Sequence, residues 1–434
     1  MFDITSFRFL RSAWFWCAVA TCWIPTAAHA IPVFARQYGI SCATCHDAFP
    51  RLNAFGESFV RMNYRLPNWK EASTIDTGDD RLVLPKIPPL AIRAQAYVQD
   101  RQAEDIDPAT GPTGNNSKLD FQAPYLIKLL SSAPLSDHMT YYFYGIFAEK
   151  GANRETLIED AWFRHDDIFD TKIGVTLGQF QISDLMFRRE TRLPFQDFMV
   201  YRTAGITYDR GVLFDRDFGP VAAALGLVNG NGITDNFNID SPGYRRPDSL
   251  FDNDRNKTVF GRIGTSLGPV TGGLFALAGK QKSITGTGTG TAGTGTRVTN
   301  KRAFGLDLLG DWNGNVHWYA QGLWNRWDGF RDEDPTRNYH WFGGFAGVDY
   351  VHDDRWTYSL LYNYAKADDF KNTGTVFEGI KMNTLTLAGS YYFMRNVKGV
   401  IEGNVDFLSK DSGPPYVGHQ SKENYLLLGF DAAF

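Results

Sequence analysis

The amino-acid sequence predicts an all-β fold, an antiparallel outer-membrane β-barrel of about sixteen strands with a small N-terminal module that plugs it. Three observations predict this fold: side chains alternate with period two from residue 90 onward, short and long connections alternate strictly, and the last strand ends on a phenylalanine. The domains are a signal peptide at residues 1–30, the N-terminal module at 31–89 and the barrel at 90–434.

The strand pattern is clear in the stretch "NTLTLAGSYYF". Its apolar face carries Leu385, Leu387 and Phe393, while Thr384 and Thr386 lie on the opposite face. Alternation of this kind is typical of a half-buried strand. About sixteen such segments follow one another, and their apolar faces are rich in the aromatic residues that form membrane girdles.

The connections identify the kind of β-fold. Short links such as "FGP", "WNGN" and "HDDR" alternate with long ones such as 100–119, 181–200 and 229–256. Short turns at one end and long loops at the other are the layout of outer-membrane barrels. A soluble sandwich or propeller would have strands every 8–12 residues, whereas the spacing here is near 20.

The end of the chain, "YLLLGFDAAF", places Leu426, Leu428, Phe430 and Phe434 on one face. A terminal strand of this kind resembles the signal read by the outer-membrane assembly machinery. We therefore expect outer-membrane lipid and that machinery as partners, and the bacterial outer membrane as the location.

The connection at 181–201 differs from the other loops, because Arg188, Arg189 and Arg192 lie there among methionine and phenylalanine. So apolar a loop is expected to fold into the lumen. With the preceding "GQF", it resembles the corresponding region of phosphate-selective porins. Two interpretations follow for the arginines: anion binding, or pairing with carboxylates of the lumen.

Residues 1–30 read as a secretory signal, with Arg8 and Arg11 before a short apolar run and an A-x-A site. Its removal leaves Cys42 and Cys45 as the only cysteines, which excludes a disulfide framework. The chain has a formal net charge of −4 and no basic cluster, so nucleic acid is excluded as a partner.

Cys42, Cys45 and His46 form the motif C-x-x-C-H in the N-terminal module. Two such thiols bind haem covalently by adding to its vinyl groups, and the adjacent histidine becomes the proximal iron ligand. A thioredoxin-type motif would need a βαβ setting, which is absent. A zinc site would need two more ligands nearby, and the next histidine is His138. One covalent haem c is therefore predicted.

The surroundings of the motif are less sharply defined. A helix-compatible stretch runs from about Phe49 to Met62, and Leu52, Phe55 and Phe59 fall at helical spacing in it. Met62 is either the distal haem ligand, which would raise the reduction potential, or a packing residue at the helix end. The module's phenylalanines either shield the haem or form a small core; they are Phe34, Phe49, Phe55 and Phe59.

The stretch "PVFARQYGISCATCHDAFPRLNAFGESF", together with a long barrel and no second haem motif, resembles the fused monohaem cytochrome–porins, the outer-membrane c-type cytochromes of Fe(II)-oxidising bacteria. The resemblance implies that Cys42 and Cys45 attach the haem and that His46 is the proximal ligand. The chain departs from the family at "RMNYRLP", where relatives often have a glycine-containing "GYR". The family therefore does not supply Met62 as a ligand.

The resemblance also implies a function. The protein would accept electrons from extracellular Fe(II) and pass them to a periplasmic cytochrome c, with the haem module in the lumen or on its periplasmic side. If this is catalysis, it is that of an Fe(II):cytochrome c oxidoreductase without a catalytic side chain. The alternatives are an anion-selective porin with a structural or sensory haem, and an extracellular reductase that sends electrons outward.

Overall fold

A computed structural model describes most of the chain. The described residues are 33–46, 51–66, 74–82, 84–86, 88–107, 111–149, 157–188, 192–230, 255–285, 295–394, 396–408 and 423–434. The predicted signal peptide lies outside these residues, as do Phe49 and Arg189.

Sixteen antiparallel strands, β3 to β18, form a closed barrel, which confirms the predicted fold. A separate two-stranded ladder, β1 (Thr74–Ile75) and β2 (Leu84–Pro85), precedes them. The barrel strands are β3 (Leu90–Asp107), β4 (Gly111–Pro134), β5 (Met139–Glu149), β6 (Leu157–His165), β7 (Gly174–Gln181), β8 (Tyr208–Phe218), β9 (Val221–Val228), β10 (Thr258–Leu267), β11 (Val270–Lys282), β12 (Val298–Trp312), β13 (Val316–Asp328), β14 (Asn338–Val351), β15 (Trp356–Lys366), β16 (Lys381–Met394), β17 (Val397–Asp406) and β18 (Glu423–Ala433).

The barrel closes where its last strand pairs with its first. Leu428 of β18 lies opposite Val98 of β3, and the Phe434 N–H donates to the Ile92 carbonyl at 2.9 Å. The start of β3 and the end of β18 lie at the same end of the barrel as short turns such as 219–220 and 268–269, and we call it the short-turn end. The opposite end is the long-loop end. In outer-membrane barrels the short turns face the periplasm.

The strands present apolar side chains outward and polar or aromatic ones inward. On β12, Phe304, Leu306 and Leu308 are 47, 40 and 37 % exposed, while the intervening Asp307 is fully buried. An outward apolar band of this kind fits contact with membrane lipid. Among the described residues, no helix is both long and apolar enough to cross a membrane.

The prediction of a long loop at 100–119 is wrong. β3 and β4 continue to Asp107 and from Gly111, so most of this stretch is a strand hairpin. Its sequence is polar on both faces and so lacks the alternation that marks the other strands. Cross-strand hydrogen bonds, rather than an apolar face, define these strands.

The described residues 182–188 and 192–206 fold into the lumen, as predicted for the connection at 181–201, and we call them the inward segment. It contains a short 3₁₀ helix at Ile182–Leu185 and the helix α4 at Met199–Ala204. Phe195 packs on Tyr425 of β18 at 5.2 Å between ring centres, whereas Phe198 stacks on Phe345 of β14 at 4.3 Å. The inward segment therefore reaches two walls of the barrel.

Aromatic side chains also fill the lumen at the long-loop end. Trp327, Phe330, Phe370 and Phe377 are each at most 2 % exposed. The rings of Trp327 and Phe377 meet at 5.6 Å, and those of Phe330 and Phe377 at 4.9 Å. Phe370 and Phe377 come from the connection after β15, which therefore covers this part of the barrel mouth.

Besides the β1–β2 ladder, the described part of the N-terminal module contains three short helices: α1 (Val33–Tyr38), α2 (Cys42–Cys45) and α3 (Ala54–Arg61). They pack on the barrel at its short-turn end. The Asn63 side-chain amide donates to the His138 carbonyl at 3.1 Å, and Thr140 donates to the Asn63 carbonyl at 2.9 Å. Both partners lie at the start of β5 or in the turn before it.

Candidate functional site

Asn53 joins the cysteine helix α2 to α3. Its carboxamide oxygen accepts the Gly56 N–H at 2.9 Å and so caps α3, while its amide nitrogen donates to the Thr44 carbonyl at 3.1 Å. Its backbone N–H donates to the Cys45 carbonyl at 2.9 Å. These three bonds fix the position of the two cysteines relative to α3.

Gly56 permits the close approach of the two helices. A Cβ atom at this position would lie 2.2 Å from the Cys45 carbonyl oxygen, a distance that real Cβ contacts essentially never show. The backbone of α3 therefore lies directly against the C-x-x-C turn, and any larger residue would push the two apart.

For the covalent haem that the C-x-x-C-H motif predicts, we expect Gly56→Ala to displace α2 and to lower the yield of haem-carrying protein several-fold, because the clash is with backbone rather than with a flexible side chain. The yield is measured as the ratio of covalent haem to barrel on a haem-stained gel. Ala54→Ser, a small addition at an exposed position of α3, is the matched control. Equal ratios in the two variants would contradict the proposed close packing.

His46 is held by a backbone carbonyl. Its Nδ1 lies 3.2 Å from the carbonyl oxygen of Arg51. A carbonyl only accepts, so Nδ1 carries a proton, and in the neutral ring Nε2 is the nitrogen that can bind a metal. This is the arrangement by which metal-ligating histidines are oriented in proteins.

Arg51 ties this histidine to the barrel. Its guanidinium pairs with Asp349 of β14 and lies over the Tyr319 ring of β13, with Cζ 4.7 Å from the ring centre. Both side chains point into the lumen and are at most 4 % exposed. The position of His46 thus depends on two barrel strands as well as on its own module.

Cys42, Cys45 and His46 line one cavity of about 570 Å³ between the module and the barrel wall, within the range of ligand pockets. The module adds Phe34, Phe59 and other mainly apolar side chains to its lining. The barrel and the inward segment contribute aromatic and charged side chains, among them Tyr142, Tyr144, Trp162, Phe180, Arg164, Arg188, Asp184 and Arg262.

Tyr64 forms the aromatic contact between module and barrel. Its ring stacks on Phe34 at 5.2 Å and lies 6.0 Å from Trp162 and 5.6 Å from Tyr142. Asn63 and Tyr64 both have left-handed backbones, with φ of 57° and 58°. Asparagine tolerates this conformation better than most residues. This explains how Asn63 can occupy a position where the cytochrome–porins, which the N-terminal motif resembles, often have glycine.

Charges in the cavity lining are balanced. Five arginines and five carboxylates line it. Arg164 Nη2 lies 2.7 Å from Asp215, and Arg188 Nη2 lies 3.5 Å from Glu57. Arg192, outside the cavity, pairs with Asp197 at 3.2 Å. Pairing with carboxylates, one of the two interpretations of the 181–201 arginines, therefore describes Arg188 and Arg192.

Burial raises the pKa of the Cys42 thiol. Burial, and to a smaller extent the neighbouring Cys42, raises the pKa of the Cys45 thiol. Both groups are therefore protonated thiols at neutral pH. Desolvation raises the pKa of Tyr64 to about 12 against a smaller, opposite effect of Arg188. The phenol consequently stays neutral beside the cavity.

The structure does not bring Met62 to this cavity. Met62 is the C-terminal cap of α3, its N–H donates to the Ser58 carbonyl at 2.9 Å, and it is not among the lining residues. Its assignment as distal ligand stays a prediction. Phe55 is 40 % exposed and also outside the lining, whereas Phe34 and Phe59 line it, so only part of the phenylalanine set can shield a ligand there.

The residues present fit a covalently bound haem. Two thiols, an imidazole oriented by the Arg51 carbonyl and a largely apolar wall converge on one cavity. The sequence alone could not identify the barrel side of this site, because Trp162 and Arg164 follow the motif by more than a hundred residues. Their only signal was membership of an alternating strand.

Comparison with known proteins supports the barrel alone. No protein-family model and no curated protein matches the chain. Among solved structures, the chain is similar to an anion-selective porin from Comamonas acidovorans (TM-score 0.51, 14 % identity, 80 % of this chain and 98 % of that one). It is also similar to the outer membrane channel DcaP of Acinetobacter baumannii (0.54, 12 %, 80 % and 97 %) and to OmpT of Vibrio cholerae (0.51, 10 %, 80 % and 99 %). At these identities the likeness establishes a porin-like outer-membrane barrel fold.

Proposed function

We propose that the protein is an outer-membrane electron-transfer conduit, which accepts electrons from extracellular Fe(II) on a covalently bound haem c and passes them to a periplasmic cytochrome c. One observation carries the proposal: Cys42, Cys45 and His46 line a single cavity inside the barrel, and the Arg51 carbonyl orients the histidine ring. The choice of Fe(II) rests on the resemblance of the N-terminal motif to the cytochrome–porins.

Each residue of the site would have a distinct role in binding the haem. Cys42 and Cys45 would hold the porphyrin by thioether bonds, and His46 would bind the iron while the Arg51 carbonyl orients its ring. A bound haem c supplies a one-electron Fe(III)/Fe(II) couple. Phe34, Phe59 and the barrel aromatics exclude water, which tunes the potential of such a couple.

The packed lumen supports electrons rather than solutes as the cargo. The inward segment and the aromatic cluster at the long-loop end place buried, mainly apolar side chains where an open porin has water. Such a barrel insulates a redox group from the membrane and keeps it at a fixed position. The cavity lies at the short-turn end, which fits delivery to a soluble partner in the periplasm.

The test is a stopped-flow experiment in which the purified, oxidised protein is mixed with Fe(II). We expect the absorption bands of reduced c-type haem to appear rapidly, as each Fe(II) gives up one electron and becomes Fe(III). Dithionite provides the full amplitude for comparison. Reduction by dithionite but not by Fe(II) would overturn the iron assignment and favour an outward-directed reductase or a haem-bearing porin.

A second candidate is a porin in which the haem is structural or sensory. The barrel fold favours it, since its structural neighbours are porins and channels. The balanced charge of the cavity lining argues against selection of anions, because five carboxylates offset the five arginines. Ion conductance distinguishes the two candidates, because a porin conducts ions and a barrel with a packed lumen does not.

A further inference from the structure

A concavity of about 560 Å³ lies on the outer wall of the barrel, on strands β12 to β15 at the long-loop end. Its lining includes the aromatic residues Phe304, Trp324, Phe342 and Tyr364 and the basic residues Arg302, Arg326, His340 and Lys366. Phe304 and Trp324 are both 47 % exposed, so these side chains face away from the lumen.

The strand register arranges the lining in two rows. Arg302 lies opposite Arg326, and Arg326 lies opposite His340. One outward position further from the long loops, Phe304 lies opposite Trp324. The same register places Phe342 beside Trp324, with 5.1 Å between the ring centres. A basic row therefore borders the loops, and an aromatic row lies directly beneath it.

The depth of these rows in a membrane follows from the residues below them. Leu306 and Leu308 continue the outward face of β12 beneath Phe304 and are 40 and 37 % exposed. Aromatic girdles mark the boundary of the hydrocarbon band in outer-membrane barrels. The basic row consequently lies at the level of the lipid head groups on the side of the long loops.

One carboxylate contacts both arginines. Asp328 accepts from Arg326 Nε at 2.6 Å and lies 3.6 Å from Arg302 Nη2. The carboxylate does not line the concavity, whereas both arginines do. Each guanidinium has five N–H donors, so a single carboxylate cannot occupy all of them. Two guanidinium groups fixed side by side match the oxygens of a phosphate group.

Other carboxylates reduce the charge at the edges of the row. Asp368 lies 2.6 Å from Lys366 Nζ, and Asp369 accepts the His340 N–H at 2.7 Å. Excess positive charge is therefore concentrated at Arg302 and Arg326, which share one carboxylate. Like charges directly opposite on neighbouring strands are unfavourable, and an anion placed between them would relieve the repulsion.

We propose that Arg302 and Arg326 bind a phosphate group of an outer-leaflet lipid whose acyl chains lie against Phe304, Trp324 and Phe342. The charge of the arginine pair, its position at head-group depth and the apolar row beneath it all favour this occupant. A second copy of the chain would bury the aromatic row, but this would not account for the paired guanidinium groups. This lipid site is independent of the haem.

The test uses native mass spectrometry of the full chain in a phosphate-free detergent, with lipid A as the probe. We expect the double variant Arg302→Gln/Arg326→Gln to weaken lipid A binding at least tenfold. Arg216→Gln is the matched control, because Arg216 lies 4.9 Å from the outward Phe218 ring at the short-turn end. This control should bind as the unmodified protein does.

The unmodified protein provides a second arm that needs no variant. We expect lipid A from which both phosphates have been removed to bind at least tenfold more weakly, and inorganic phosphate alone not to displace lipid A at millimolar concentration. Equal binding of the dephosphorylated lipid, displacement by free phosphate, or a double variant that changes only the oligomeric state would each overturn the proposal.

Discussion

Replacing both Cys42 and Cys45 with alanine is expected to remove all covalent haem from the protein while leaving the barrel assembled. The two thiols are the only described groups in the cavity that can form thioether bonds, and both are held there by the Asn53 contacts. The barrel should survive because sixteen paired strands hold it together without either cysteine. Haem staining of a denaturing gel measures the covalent cofactor, and heat-dependent migration on the same gel measures the folded barrel.

Two further variants test the roles of the individual residues. Thr44→Ser keeps both thiols and changes a residue between them, so its haem content should equal that of the unmodified protein. His46→Ala should retain the thioether bonds but shift the absorption spectrum of the oxidised haem, because the proximal ligand is lost. Covalent haem in the double cysteine variant, or its absence from Thr44→Ser, would refute the assignment of these thiols.

Alanine at both Phe198 and Phe345 is expected to increase the ion conductance of the barrel several-fold over a low starting value. These rings stack at 4.3 Å and join the inward segment to β14. Truncating a buried phenylalanine leaves a cavity and costs about 3–5 kcal/mol, so the segment should detach from this wall. Single-channel recording in planar bilayers is the measurement.

Alanine at both Phe163 and Phe214 is the control for this experiment, since these two phenylalanines are 56 and 43 % exposed on the lipid-facing wall, and conductance should be unaltered. A high, steady conductance already present in the unmodified protein would show that water fills the lumen. That outcome would favour the porin candidate over the conduit, whatever the haem content. Conductance and Fe(II) reduction therefore test the two functions separately.

Local patterns were sufficient to predict the barrel. Alternation in strands such as β16 reflects the different surroundings of their two faces, and connections that are mostly short at one end and long at the other reflect the up-and-down topology. The hairpin at 100–119 was missed because both of its faces are polar, so no apolar period marks its strands.

The site was predictable only where its chemistry is local. Cys42, Cys45 and His46 stand within five residues and define their own role, whereas Trp162 and Arg188 reach the same cavity through the closure of the barrel. Met62 shows the converse limit: its residue type suits a haem ligand, yet its place at the end of α3 keeps it out of the cavity lining. Residue type alone does not specify whether a side chain reaches a given cavity.

The contact between Arg51 and Asp349 has a consequence for the order in which the protein matures. The two residues are 298 positions apart, so the contact of the N-terminal module forms only after a strand that is synthesised much later has folded. Until β14 is in place, the Arg51 backbone that orients His46 lacks its side-chain anchor. Insertion of the barrel therefore completes the histidine's surroundings, and a precursor stalled in the periplasm would carry the same motif without its final geometry.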